Sequence, residues 1–135
     1  MKVIDPGHVY ELDWLDLEYP IQPYEDDHKQ SHLTFVKREG PGYPGNVGHH
    51  PGTNMQEVLR AVIDRLRYLH RQIPHEANEV AIMDLQGAIY ALESRAAERH
   101  GRLERFRATF SPENIELQPT CLKCGHVGCD GSCHP

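Results

Sequence analysis

The four cysteines of this chain fall in its last fifteen residues, as Cys121-x2-Cys124-x4-Cys129-x3-Cys133, with His126 and His134 close by. Four thiolates complete a tetrahedral zinc shell, and small glycine turns let a short segment wrap an ion. The spacing approaches the zinc knuckle C-x2-C-x4-H-x4-C without matching it. In a cytoplasmic chain zinc is favoured over disulfides, with free or redox-active thiols as the next reading. A structural metal fits better than a catalytic one, because no conspicuous acid/base pair accompanies the cluster. Confined to one end, the cysteines are expected to hold one local feature and not the fold.

A second group with chemical potential runs from Gly40 to Ile73. GPGYPGNVGHHPG feeds straight into TNMQEVLRAVIDRLRYLHRQI. Glycine lets backbone N–H groups approach a ligand, and a helix N-terminus adds unpaired donors and partial positive charge. The stretch is therefore either an anion cradle or a turn-rich connector, and no standard phosphate-loop motif decides between them. His49 and His50 read as loop polar groups before they read as bases. Arg95, Arg99 and Arg102 share a face by spacing, as a solvated or dipole-complementing basic end would.

These residues need elements to position them. Val3-Ile4 precedes the turn signal Asp5-Pro6-Gly7, and residues 8–14 alternate as a half-buried strand with Tyr10, Leu12 and Trp14 on one face. Residues 15–32 are acidic and polar and suit a long excursion, and residues 33–38 read as a second strand. Two strands are marginal alone and need cover from helices or a second subunit. Thr53 and Gln56 fit a capping box. Val58, Val62, Leu66, Leu69 and Ile73 then form an apolar stripe, widened by Leu59 and Ile63. Arg60, Asp64, Arg67 and Arg71 form the opposite face, with Arg60–Asp64 as an i,i+4 pair, and Pro74 ends the helix.

A second helix is expected over about 78–100, with Ile82, Leu85, Ile89, Leu92 and Ala96 inward and Gly101 past its end. Gly87 within it suggests a close helix approach or room for a ligand. The short link makes the pair an antiparallel hairpin. Residues 103–110 extend helically, Ser111-Pro112-Glu113 is a helix start or a turn, and 115–120 read as linker. The fold class is α+β. A small antiparallel β element with a Gly-rich loop (1–52) precedes a helical hairpin (53–101), a helical or linker segment (102–120) and a Cys-rich tail (121–135).

The chain has 135 residues, net charge −6, and 21 glycines plus prolines (11 and 10). That length holds a modest core, and the Gly and Pro content implies much loop. The acidic balance argues against broad binding to nucleic-acid phosphates. No apolar run reaches membrane-spanning length and the N-terminus lacks a secretory apolar core, so the chain reads as soluble and cytoplasmic.

FVKREG (35–40), GNVGHHPGT (45–53), QEVLRAVIDR (56–65) and RAAERH (95–100) together resemble a bacteriophage family. These are the anti-Thoeris signal-sequestering proteins, whose helical hairpin is shared with phage sponges for the cyclic oligonucleotides of CBASS defence. The resemblance covers about residues 1–101 and leaves out the cysteine tail, which looks like an added feature. It implies a homo-oligomer, either a dimer or a dimer-built hexamer, in the cytoplasm of an infected bacterium. It also implies capture without turnover of a cyclic ADP-ribose isomer made by host Toll/interleukin-receptor domain enzymes. Some members also take cyclic di- or trinucleotides at a separate site.

Such a ligand carries a pyrophosphate, which suits Arg forks and backbone N–H groups, and an adenine, which suits an aromatic or guanidinium plane and a side-chain amide. The ligand-contacting set that follows is Arg38, Tyr43, Asn46, His49, Thr53, Gln56, Arg60, Arg95 and Arg99. Arg65, Phe35 and Tyr90 are further candidates, but Arg65 reads first as a surface ion-pair partner and Phe35 and Tyr90 read first as core. One small hairpin supplies few converging groups, so a site composed between protomers is expected. Two other readings compete. An enzyme would use His49, His50 or Asp64, but no nucleophile–base–orienter arrangement is evident. A small zinc-tailed dimeric interaction or regulatory protein would use the hairpin as its dimerisation element.

Overall fold

The computed structural model describes residues 1–15 and 31–133. Most of the expected acidic excursion and His134 lie outside these residues. The chain divides into two compact units, Met1–Asn54 and Met55–Pro135.

The first unit holds a three-stranded antiparallel sheet in the order β1 (Lys2–Asp5), β2 (Val9–Leu12), β3 (Ser31–Thr34). One strand more is present than the sequence reading expects, because Val3-Ile4 is too short to show alternation. The Asp5-Pro6-Gly7 turn is as expected, and His8 N donates to Asp5 O at 2.9 Å across it. Strand β2 stops at Leu12, so Asp13 and Trp14 are exposed and lie beyond the ladder. Tyr10 pairs in register with Leu33, and its ring meets Phe35 edge-on at 6.0 Å.

Beyond Thr34 the expected second strand does not continue as a strand. Its backbone pairs instead with the end of the Gly-rich loop, Phe35 bridging Thr53 and Lys37 bridging His50. Val36 N donates to Thr53 O and Thr53 N donates to Thr34 O, both at 2.9 Å. The two chain segments approach so closely at Gly52 that a Cβ there would sit 2.5 Å from Phe35 C and 2.6 Å from Val36 N. None of the described residues of this unit is fully buried.

The second unit carries the core. Helices α1 (Met55–Gln72) and α2 (Glu76–Arg99) form the hairpin, followed by α3 (Leu103–Thr109) and a 3-10 turn (Ile115–Leu117). His75 caps α2 by accepting from Ala77 N at 2.9 Å, which starts the helix two residues before the expected Asn78. Its far end closes as a Schellman motif: Gly101 N donates to Glu98 O at 3.1 Å and Arg102 N to Ala97 O at 2.9 Å. Gly101 adopts φ +69°, the conformation that this motif requires of the residue past the cap.

Ile63, Ile89, Ala97, Phe106, Ile115 and Val127 form the buried cluster, with Leu59, Ile82, Leu85, Tyr90 and Phe110 packed against it. The α2 stripe is as expected, and Tyr90 is core, its ring 5.2 Å from that of Phe106. The α1 stripe is rotated from the expected one. Ile63 is its centre, while Val62 and Ile73 are exposed.

The cause lies in the segment expected as linker. Ile115 is fully buried. Glu116, beside it, accepts a bidentate pair from Arg67 at 2.8 and 2.5 Å and a bond from Gln86 at 2.8 Å. Arg60 Nε donates to Glu116 O at 3.2 Å, and its guanidinium lies 3.7 Å from Glu57. Arg60 and Arg67 therefore face this strap, not open solvent, and the expected Arg60–Asp64 pair is replaced. The capping box is also absent: α1 begins at Met55, Thr53 is held in its bridge to Phe35, and Gln56 is buried and turned to His126.

No atom lies within 4 Å of a Cβ built on Gly87, so the close approach expected there is not made. Gly87→Ala is accordingly expected to raise helix stability by up to about 1 kcal/mol in urea unfolding followed by circular dichroism. Gly52→Ala is expected to do the opposite to the first unit, read through the fluorescence of Trp14, the chain's one tryptophan, as an earlier unfolding midpoint.

Candidate functional site

The Sγ atoms of Cys121, Cys124, Cys129 and Cys133 all lie within 4.8 Å of one another. Cys121 and Cys133 are 3.7 Å apart at sulfur, and Cys129 and Cys133 are 3.4 Å apart. Zinc bonded to four sulfurs at about 2.3 Å sets tetrahedral edges of about 3.8 Å. The four sulfurs are thus already gathered at the spacing an ion needs, and none is in a disulfide.

Local backbone geometry does the gathering. Lys123 N donates to Cys121 Sγ and Gly131 N to Cys129 Sγ, each at 3.4 Å. Cys121 N donates to His126 O at 3.0 Å, and Thr120 bridges Val127, closing the first loop on itself. Desolvation and then the neighbouring thiols push Cys133 up to about 12. Desolvation also raises Cys124. Cys124 and Cys133 therefore favour the protonated thiol on their own, and a dication bound there would displace those protons.

His126 is not part of the tetrad. Its Nδ1 lies 3.3 Å from Glu93 Oε2 and 3.3 Å from Gln56 Nε2. Next to it, Val127 N donates to Glu93 Oε2 at 3.1 Å, and the Val127 side chain is 1% exposed within the core cluster. The cysteine segment is therefore built into the helical unit. This corrects the expectation of a local feature added to the fold. An alternation of cysteine, glycine and polar residues hides a single valine anchor, so the signal in the sequence was weak.

The Gly-rich loop forms a second candidate site, a cleft of about 460 Å³ in the first unit. Lys37, Arg38, Tyr43, His49 and His50 line it, with Glu39 among them. Lys37 Nζ lies 3.2 Å from Asp5 Oδ2. Asn46 Nδ2 donates to Arg38 O at 2.7 Å and so shapes the loop. The backbone cradle is partly used up internally: Gly48 N donates to the Glu39 carboxylate, Tyr43 N to Gly40 O and Asn46 N to Tyr43 O. Anion recognition here falls to side chains more than to loop amides.

The nine expected ligand residues thus separate. Arg38, Tyr43 and His49 line the loop cleft. Asn46 and Thr53 hold the first unit's backbone. Gln56 and Arg60 are committed to the C-terminal segment in the second unit. Arg95 and Arg99 are exposed on the last turns of α2. Arg102, expected beside them, begins α3 instead, donates to Val127 O at 3.3 Å, and lines a cleft of about 560 Å³ with His100, Arg105 and Asp130. Arg65 stacks its guanidinium 5.7 Å from the Tyr68 ring. The sequence reading missed Lys37 as a cleft residue, although it adjoins Arg38, and it missed Glu93 and Glu116, which read as ordinary helix-surface and linker acids.

The tetrad makes a direct prediction. Cobalt(II), used as a spectroscopic probe, is expected to bind one ion per chain, with sulfur-to-metal charge transfer, tetrahedral ligand-field bands and release of protons. Cys124→Ser should lose the tetrahedral four-sulfur signature. A spectrum of hexaaquo type with the intact protein contradicts the assignment.

Comparison of the chain with protein-family models, with curated proteins and with solved structures finds no match.

Proposed function

We propose that this chain is a binding protein that captures a phosphate-bearing cyclic nucleotide, a cyclic ADP-ribose isomer, and holds it without cleaving it. The observation that carries this reading is the loop cleft, which Lys37, Arg38, His49 and His50 line together with Tyr43 and Glu39. Cationic forks and imidazoles suit a pyrophosphate, and a half-exposed phenol ring suits a base face. The resemblance of residues 35–65 to the phage sponges supports the same ligand class. By that resemblance a cyclic di- or trinucleotide is a second ligand. The setting proposed is the cytoplasm of an infected bacterium, where such capture blocks immune signalling. No helix of the described residues is long and apolar enough to cross a membrane.

Nanomolar capture requires about 12 kcal/mol. Charge-assisted hydrogen bonds contribute roughly 1.5–3 kcal/mol each. With Lys37 already facing Asp5, one protomer's cleft offers too few cations. A homo-oligomer, a dimer or a dimer-built hexamer, would supply the rest from a second copy. Exposed Val3, Ile4, Val62, Ile73, Val80 and Met83 support such an assembly. The tetrad is read as a structural zinc site, because a closed four-sulfur shell, which leaves no open position, is a zinc preference. That centre is also what favours the second reading, a zinc-tailed dimeric interaction protein.

Calorimetric titration with ADP-ribose isomers and cyclic trinucleotides, alongside mass measurement of the assembly, separates the two. Sequestration predicts nanomolar binding by an oligomer. Arg38→Ala should weaken it by about 10–100-fold, the equivalent of one charge-assisted contact, and Tyr43→Ala by a smaller factor. An oligomer that binds none of these compounds overturns the sponge reading and leaves the interaction protein.

A further inference from the structure

Glu93, on α2, has a side chain wholly withdrawn from solvent. A carboxylate in such a place needs donors. Its Oε2 has Val127 N–H at 3.1 Å and His126 Nδ1 at 3.3 Å, while Oε1 has none among the described residues. Both partners lie between Cys124 and Cys129. The hairpin's most buried acid is thus satisfied by the loop that the sulfurs fold.

The dependence runs the other way too. Across residues 121–133 the apolar anchor is Val127, since Leu122 is fully exposed. Further attachments are Arg102 donating to Val127 O at 3.3 Å, Gln56 beside His126, and Gly128 against the Phe110 ring, where a Cβ would sit 2.9 Å from Cε2. A glycine-rich segment of this length with one buried apolar side chain depends for its shape on a few backbone bonds of its own. Joining the four sulfurs would lock that shape.

We propose that the metal at the tetrad completes the core of the helical hairpin, so that metal centre and hairpin form one thermodynamic unit with Glu93 as its coupling residue. This rests on the tetrad being a metal site and goes beyond it, because a tail that merely binds zinc would leave α1 and α2 unchanged. Releasing the metal lets residues 121–133 open. Val127 then leaves the cluster of Ile63 and Ile89, and Glu93 loses both donors. By linkage, whatever factor the metal adds to hairpin stability, the intact hairpin adds to metal affinity. Glu93 is therefore a positioning residue for an ion it does not touch.

The test uses the full chain with zinc as probe. Zinc stoichiometry is read first, then helix melting by circular dichroism and amide exchange along α2, with and without a chelator. Expected are one zinc per chain, a melting temperature that climbs with free zinc, and faster exchange around Ile89–Ala97 after chelation. Glu93→Gln is expected to weaken zinc binding by up to about 10-fold, the equivalent of one hydrogen bond lost to the loop that carries the ligands. Exposed Glu98→Gln should leave it unchanged. Val127→Ala, a milder change at the same contact, should also lower zinc affinity although no ligand is altered.

One zinc per chain with unchanged melting and exchange on chelation overturns the coupling and leaves the metal site standing. Unchanged zinc affinity in both Glu93→Gln and Val127→Ala overturns it as well. No zinc uptake by the native chain overturns the metal reading itself, and the coupling with it.

Discussion

A carboxylate with no exposed surface sits in the helical core, and the loop between Cys124 and Cys129 brings donors to one of its oxygens. Glu93 is answered by Val127 N–H and by His126, delivered from more than thirty residues along the chain. Glu116 repeats the device from the other side, with its carboxylate taken by Arg67 and Gln86 from the two hairpin helices. Buried acids tolerate no substitute for a fitting partner, so each fixes the register of the segment that carries it or meets it. The apolar cluster of Ile63, Ile89, Phe106, Ile115 and Val127 supplies attraction without direction. The two carboxylates supply the direction.

That arrangement explains why parts of the fold were legible in the sequence and parts were not. The hairpin was legible because Ile82, Leu85, Ile89 and Ala96 keep a helical period, Pro74 stops the first helix and Gly101 stops the second. The face of α1 was not, because its inward side carries Gln56, Arg60 and Arg67, which binary patterning assigns to solvent. Their partners lie in residues 116 and 126, and no local pattern announces a pairing across 49 residues or more. Ile115 and Val127 were hidden for a related reason. Each is a single apolar residue in a segment too short to show a period. In the first unit the loop glycines were read for ligand approach, whereas Gly52 serves a backbone-to-backbone contact with Phe35 and Val36. The gathering of the four sulfurs was legible, since cysteines spaced two to four residues apart in a glycine-rich segment lie close together.

The two candidate sites divide the labour by unit. The first unit holds the cationic loop cleft, and its scaffold of short strands has no fully buried side chain among the described residues. The second holds the core and the sulfur tetrad. A loosely packed β element gains cover when copies associate, which fits a ligand site completed by a second protomer.

The central claim is capture without turnover. It is tested most directly by incubating the protein with a cyclic ADP-ribose isomer, denaturing it by heat, and identifying the released compound by mass and by its signalling activity. Capture without turnover predicts that the cyclic compound disappears from free solution on incubation and returns intact and active after heating. A hydrolysed or ring-opened product would contradict it.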